Sequence, residues 1–218
     1  MSYTLSEHES KQVLRSAGIP VPEDALVASA DEAVREAERL GFPVALKLCG
    51  RKIAHKTERG LVKLGLGDAA ALREAAVALL GARSKDDGDA KLLVCKMVGG
   101  RRELIAGLVR DPQFGPCVML GVGGIFAEVV GDVAFAVAPL ARSDAADLIG
   151  ALRYPKLLEA FRGEPAVDRR KLADVLEALG RLGAERPEIR SIDVNPLIVA
   201  GDTPVVIDAL VELEGDAR

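Results

Sequence analysis

The sequence predicts an α+β fold with mixed or antiparallel sheets, arranged as two lobes. Three observations carry that expectation. Capping boxes open two helices near the N-terminus, the second of which feeds an apolar strand. A polar run over residues 84–90, S-K-D-D-G-D-A, interrupts the chain where a hinge would lie. The C-terminal part is rich in short strands and closes on a hairpin with a Gly-Asp turn. At 218 residues the chain has room for one substantial core or two small lobes sharing a cleft. The lobes are placed at residues 1–88 and 89–218.

In L-S-E-H-E-S-K-Q-V-L-R-S-A-G, Ser6 and Glu9 have capping-box spacing and Gly18 is a helix stop. His8 then falls in an exposed first turn, where a polar residue needs no ligand to explain it. Ser29 with Glu32 starts a second helix to about Leu40, and G-F-P ends it before the strand V-A-L-K-L. The strand L-V-K-L-G-L and a helix from about Asp68 to Leu80 follow, the latter with apolar residues at helical spacing. Beyond the hinge, strands near 91–97, 102–110 and 117–120 run into G-V-G-G-I-F, and another lies near 133–138. Helices near 143–152 and 168–183 lead to the final strands, I-R-S-I-D-V-N-P-L-I-V-A and P-V-V-I-D-A-L-V.

The composition, 49% hydrophobic and 28% charged but only 3% aromatic, excludes disorder and requires a core built from Ala, Val, Leu and Ile. A net charge of -4 excludes a general nucleic-acid surface, so any phosphate-bearing ligand must be met by a local patch. Cys49, Cys95 and Cys117 are odd in number and set in apolar segments, which fits buried free thiols in a reducing compartment. No basic n-region with an apolar h-region opens the chain, and Glu128 and Asp132 break its longest apolar zone. The expected location is cytoplasmic, with neither membrane nor nucleic acid as partner.

Two constellations are suited to chemistry. Lys47, Arg51, Lys52, Lys56, Arg59 and Lys63 surround His55 with Glu58 as the one acid among them, a local cation cluster in an acidic chain. Lys47 is the single charge on an apolar strand. Either its ammonium meets phosphate oxygens in a polar cleft or it snorkels at a sheet edge. G-V-G-G-I-F lacks the third glycine of the dinucleotide fingerprint, and is either a turn that admits a ligand closely or simply a turn.

At the C-terminal end, alternation in S-I-D-V-N-P puts Asp193 and Asn195 on one face. If Gly201 and Asp202 form a two-residue turn, Ala200 pairs with Thr203 and Asn195 with Asp208. Directly opposed Cβ atoms lie about 5 Å apart, close enough for two oxygens to share one hard cation such as Mg2+. A bulge at Pro196 would spoil the register, and a solvent-facing polar stripe is the plainer alternative. The acid in V-V-I-D-A-L-V favours a metal, because a lone carboxylate in an apolar strand is costly unless paired. No zinc spacing and no G-x-S-x-G elbow occur.

Taken together, these segments resemble the ATP-grasp subunit of NDP-forming acyl-CoA synthetases, which include ADP-forming acetyl-CoA synthetase and are distantly related to the beta subunit of succinyl-CoA synthetase. The likeness runs from L-S-E-H-E-S-K-Q-V-L-R-S-A-G-I-P-V-P through G-F-P-V-A-L-K-L and I-A-H-K-T-E-R-G. It continues through G-G-R-R-E-L-I-A-G-L-V-R-D-P-Q-F-G-P and F-R-G-E-P-A-V-D to I-D-V-N-P-L-I-V and I-D-A.

The resemblance implies an ATP-grasp fold with two lobes around a nucleotide cleft. It implies Lys47 on ATP phosphates, an adenine-contacting hinge at Cys95, Lys96, Met97 and Val98, and Glu103 facing the nucleotide. Lys56, Thr57 and Gly60 would shape the phosphate loop. Asn195 and Asp208 would be the Mg2+ ligands with Asp193 beside them, and His55 would be the catalytic phosphoryl carrier. The implied reaction is acyl-CoA plus ADP and phosphate giving acid, CoA and ATP. An alpha-type, CoA-binding partner subunit is also implied, since no CoA-binding domain is recognisable. A nucleotide-sensing module joined to an acyltransferase or ligase partner is the alternative. Leu61 after Gly60, Glu58 in place of Asp and Lys96 in place of an acid depart from the family pattern.

Overall fold

The computed structural model describes residues 1–53, 56–124 and 130–215. Its strands are β1 (Ser2–Thr4), β2 (Asp24–Val27), β3 (Val44–Cys49), β4 (Val62–Leu66), β5 (Lys91–Lys96), β6 (Arg102–Asp111), β7 (Gly115–Val122), β8 (Val133–Val137), β9 (Ile189–Ala200), β10 (Thr203–Val206) and β11 (Ala209–Glu214). The helices are α1 (Glu7–Ser16), α2 (Ala30–Leu40), α3 (Ala69–Gly81), α4 (Arg142–Gly150) and α5 (Arg169–Glu185). The chain divides into two compact units, one of Thr4–Glu9 with Pro22–Met97, the other of Met1–Tyr3, Ser10–Val21 and the chain from Val98 onward.

That division corrects the boundary expected after residue 88. β5 pairs along its length with β2 and β3, with Cys95 opposite Asp24 and Leu93 opposite Lys47, so the first unit extends to Met97. The polar run is not a hinge. Lys85–Asp87 is a 3-10 turn in which the Ser84 N–H and Oγ donate to Asp87 Oδ2 at 2.8 and 2.9 Å.

In the first unit the antiparallel strands stand in the order β2-β5-β3-β4. Ser29 Oγ accepts from the Glu32 N–H at 3.2 Å to start α2, while the Glu32 carboxylate reaches past Ser29 to the Ala28 N–H at 2.8 Å. Asp68 accepts from the Ala71 N–H to start α3. The two helices cover one sheet face, burying Val34, Ala37, Leu40, Leu72, Ala76 and Leu79 against Leu46, Leu48, Leu92 and Val94. Burying each such Leu contributes about 1.5–3 kcal/mol. Alternation sends Ala45, Lys47 and Cys49 to the other face, where Ala45, Cys49, Leu93 and Cys95 form a small apolar cluster with Met97 at its edge. Cys49, Cys95 and Cys117 are all buried free thiols, as their settings predicted.

The second unit holds a seven-stranded sheet in the order β1-β11-β9-β6-β7-β8, with β10 also on β9. α5 lies over β6 and β7, bringing Gly183 against Leu108 and Gly180 against Val118. Leu104, Ala106, Leu108, Val118, Leu120, Ile192 and Val194 are buried, while the residues alternating with them turn to the opposite face with Asp193. The segment read as one strand, P-V-V-I-D-A-L-V, is split into β10 and β11. Its interruption at Ile207 and Asp208 faces Pro196, which has no N–H to give the ladder. Among the described residues no helix is long and apolar enough to cross a membrane.

Candidate functional site

Lys47 is 5% exposed, and its ammonium is not held out in solvent. Nζ donates to Glu7 Oε1 at 2.6 Å, and the other oxygen of that carboxylate is taken by Lys56 Nζ. Glu7 is thus buried between two lysines from segments far from it in sequence. His8, expected in an exposed turn, is only part-exposed: Nδ1 stands 3.4 Å from the buried Asp24 carboxylate, an ion pair whenever the imidazole is protonated. The first turn of α1 is therefore an interior feature of its unit.

The cation cluster is largely paired by acids from elsewhere in the chain. Arg51 grips Glu9, with NH2 2.6 Å from Oε1 and Nε 3.1 Å from Oε2. Arg59 makes a two-pronged contact with the buried Asp87, both bonds at 2.8 Å. The Arg51 hydrogen bonds, reinforced by the Ser6 N–H and hydroxyl, lower the Glu9 carboxyl to about 2 despite partial burial. Arg59, then the Ser84 N–H, hold Asp87 well below the usual carboxylate range.

Both shifts are depressions, so the stability they lend is fully present above the ordinary carboxylate range and disappears as pH falls through the folded values. For Glu9 that window runs from its usual 4.5 down to about 2. An acid-unfolding profile followed by circular dichroism is expected to be shallower in that window for Glu9→Gln than for the native chain. Identical slopes would sink the assignment.

The segment after His55 is a closed turn. The Gly60 N–H donates to the Thr57 carbonyl at 3.0 Å, the Leu61 N–H to Lys56 O at 2.8 Å, and the Leu48 N–H to Leu61 O at 3.0 Å. Thr57 and Gly60 are exposed, whereas Leu61 is 1% exposed and sits in the helix-side core. Leu61 in place of glycine therefore anchors the end of the loop to β3. His55 itself lies outside the described residues. Lys96 ends β5 with an exposed side chain, and its N–H donates to the Glu23 carbonyl; Met97 and Val98 follow it, part-exposed.

In the second unit the hairpin register is the one expected from its turn. Gly201 takes φ +63°. Ala200 stands opposite Thr203, Leu197 opposite Val206 and Val194 opposite Ala209, so Asn195 falls opposite Asp208; its N–H donates to Asp208 O at 3.2 Å. The irregularity foreseen at Pro196 is present but falls in the pairing of β9 with β6: Leu104 stands opposite Leu197 and Ala106 opposite Val194, so Asn195 and Pro196 together face Ile105 and the hairpin register is kept. Asp193 has an exposed side chain on the Asn195 face, and its carboxyl is raised, first by partial desolvation and then by the charge of Asp208. Among the described residues no three His, Cys, Asp or Glu side chains cluster closely enough to hold a metal by themselves. The donor set fits Mg2+ none the less, because that ion takes one or two carboxylates and completes its shell with water and phosphate oxygens.

Glu103 shares this face, opposite Ile198. The glycine turn lies on it: the Gly123 N–H donates to Glu103 O at 2.9 Å, and a Cβ on Gly124 would stand 3.7 Å from Glu103 Oε2. The rest of G-V-G-G-I-F lies outside the described residues. Gly107 is opposite Asp193, and a Cβ there would come within 2.5 Å of the Ile192 carbonyl oxygen. Gly107→Ala must push β6 from β9 and is expected to cost about 1–3 kcal/mol, read as a lower denaturant midpoint. An unchanged midpoint would show the sheet yields freely there.

Sequence reasoning missed Glu7, Glu9 and Asp87 as partners of the cations, and Arg102. The last is 7% exposed and binds Glu164 Oε2 at 3.1 Å with the carbonyls of Glu159, Pro165 and Gly201, which fixes the F-R-G-E-P turn beside the hairpin. An arginine at the head of a strand whose middle, Leu104 to Val109, carries no charge was its only signal.

A family model described as an ATP-grasp domain matches residues 1–213. The chain is 39% identical over 208 residues to the beta subunit of acetate–CoA ligase (ADP-forming) I of Pyrococcus furiosus, covering 94% of this chain and 90% of that one. It is 37% identical over 198 residues to the 4-hydroxybutyrate–CoA ligase (ADP-forming) of Nitrosopumilus maritimus, where it spans 89% of itself but 28% of the relative. Its backbone matches acetyl-coenzyme A synthetase 1 of Ca. Korarchaeum cryptofilum, solved with coenzyme A and Ca-AMPCP, at a TM-score of 0.91 with 40% identity, covering 97% of this chain and 94% of that one. The same Korarchaeum protein has been solved with Mg-AMPPCP and its phosphohistidine segment pointing towards the nucleotide binding site. The chain belongs to the ATP-grasp family, as the nucleotide-binding, beta-type subunit of an ADP-forming acyl-CoA ligase.

Proposed function

We propose that this subunit moves a phosphoryl group between a partner's acyl-phosphate site and ADP, with His55 as carrier, in the reaction acyl-CoA plus ADP and phosphate giving acid, CoA and ATP. The observation that carries the reading is the pairing of Lys47, on β3, with Lys56, the residue bonded to His55, through one buried carboxylate. A phosphate-binding lysine and the histidine segment thereby share one anchoring point. The sensor alternative is not favoured, since two relatives aligned over 90% and 91% of their own length are ligase subunits.

A second histidine, supplied by the partner, takes the phosphoryl group from the acyl phosphate as the acid leaves as carboxylate. A neutral imidazole nitrogen of His55 then attacks that phosphorus, the partner imidazole leaves, and the N–P bond formed is later broken by a β-phosphate oxygen of ADP. Lys47 orients the phosphates, Glu103 faces the nucleotide, and Lys96, Met97 and Val98 supply an edge for adenine beside the Cys95 cluster. Asp208 and Asn195 would hold Mg2+ through oxygens, with Asp193 beside them, and the ion would neutralise phosphate charge. The acid and CoA bind an alpha-type, CoA-binding partner, in keeping with relatives that are beta subunits of their ligases.

Incubation of the chain with γ-labelled ATP and Mg2+, followed by peptide mapping, tests the reading. An acid-labile label on His55 is expected. An acid-stable label, or one on another residue, would overturn it.

A further inference from the structure

The Glu7 carboxylate is saturated in an unusual way for a helix first turn: its side chain is 2% exposed, Oε1 is held by Lys47 at 2.6 Å and Oε2 by Lys56. An acid at that position ordinarily serves the helix N-terminus from solvent. Here it lies inside the unit with two ammonium groups whose side chains are 6% and 19% exposed. Burying three charges is costly, and the arrangement persists because each carboxylate oxygen takes a different cation.

The two lysines differ in what they are attached to. Lys47 is fixed in the middle of β3, hydrogen-bonded on both sides to β4 and β5. Lys56 opens the turn that runs through Thr57 and Gly60 to Leu61, and is bonded directly to His55. The far end of that turn is already tied down by the buried Leu61 and by Arg59 on Asp87. Glu7 is the corresponding tie at the near end.

We propose that Glu7 is a positioning residue: by clamping Lys56 to Lys47 it fixes where the histidine segment begins relative to the nucleotide phosphates. The proposal rests on the reading of His55 as carrier. In the transfer it serves, the bond from γ-phosphorus to the bridging oxygen of ATP breaks, a bond to an imidazole nitrogen forms, and ADP leaves. Glu7 takes no part in these bonds. It makes the attack geometry reproducible, a contribution that acts on rate rather than on nucleotide affinity.

The test compares single-turnover formation of acid-labile phosphate on His55 with ADP affinity by calorimetry, in the full-length native chain, Glu7→Gln and Lys56→Gln. Glu7→Gln is expected to slow phosphorylation roughly tenfold or more, with ADP bound as tightly or tighter because Lys47 loses a competing anion. Lys56→Gln leaves the Lys47–Glu7 pair in place, so it remains informative should Glu7→Gln fail to fold; the same slowing with unchanged ADP affinity is expected. Native rates in either variant would overturn the clamp. So would affinity and rate falling together, which would make Lys56 a direct phosphate ligand or Glu7 a merely structural acid. If the native chain takes no label on His55, the carrier reading falls and the clamp with it, whereas label in the native chain with unaltered variants sinks the clamp alone.

Discussion

Alanine in place of His55 is expected to remove the acid-labile label from the chain and to lower turnover of the complete ligase by about a thousandfold or more. The size follows from the role. A residue that carries the transferred group in a covalent bond has no partial substitute, and removing a nucleophile of this kind leaves only the positioning and electrostatic parts of the site at work. ADP affinity is expected to stay within about twofold, because Lys47, Glu103 and the edge after β5 are untouched. That split, turnover lost with affinity kept, separates a carrier from a histidine that merely binds phosphate, which would lose affinity with rate. Persistence of label and turnover in His55→Ala would remove the histidine from the chemistry altogether.

Much of the frame was legible because it depends on neighbours in sequence. Ser6 with Glu9, Ser29 with Glu32 and Asp68 with Ala71 form caps within a span of three residues, which local chemistry alone decides. The hairpin register follows from Gly201 and Asp202 in the same way, since a two-residue turn leaves one pairing. The four-residue β2 escaped notice because D-A-L-V carries too short an alternation to read. The hinge was misplaced for a related reason. Polarity in residues 84–90 signals a turn, but whether a turn joins lobes or lies within one depends on what the next strand pairs with, and β5 pairs back into the first sheet.

Charge was the least legible property. Lys47, Arg51, Lys56 and Arg59 read as an unpaired cluster because Glu58 is their one acidic neighbour in sequence. The acids that hold them, Glu7, Glu9 and Asp87, lie between 28 and 49 residues away and are brought in by tertiary structure alone. The cluster is therefore less a free anion trap than a set of ties that shape a segment.

Asp208→Asn is expected to weaken Mg2+-dependent nucleotide binding by about 10- to 100-fold while leaving binding without Mg2+ unchanged or slightly improved. The asymmetry follows from the hairpin. Asp208 is the carboxylate opposite Asn195, with Asp193 on the same face as Asn195, and the charge of Asp208 helps raise the Asp193 carboxyl. A divalent cation relieves that repulsion and bridges it to phosphate; an amide at 208 keeps an oxygen donor but removes half of the charge that attracts the ion. Without metal, the same substitution removes a negative charge from a site that must admit phosphates, so affinity has no reason to fall. Titration calorimetry of ADP with and without Mg2+ measures both arms. Equal affinities for native chain and variant in the presence of Mg2+ would place the ion elsewhere and return the Asp193, Asn195 and Asp208 set to a polar stripe on a hairpin.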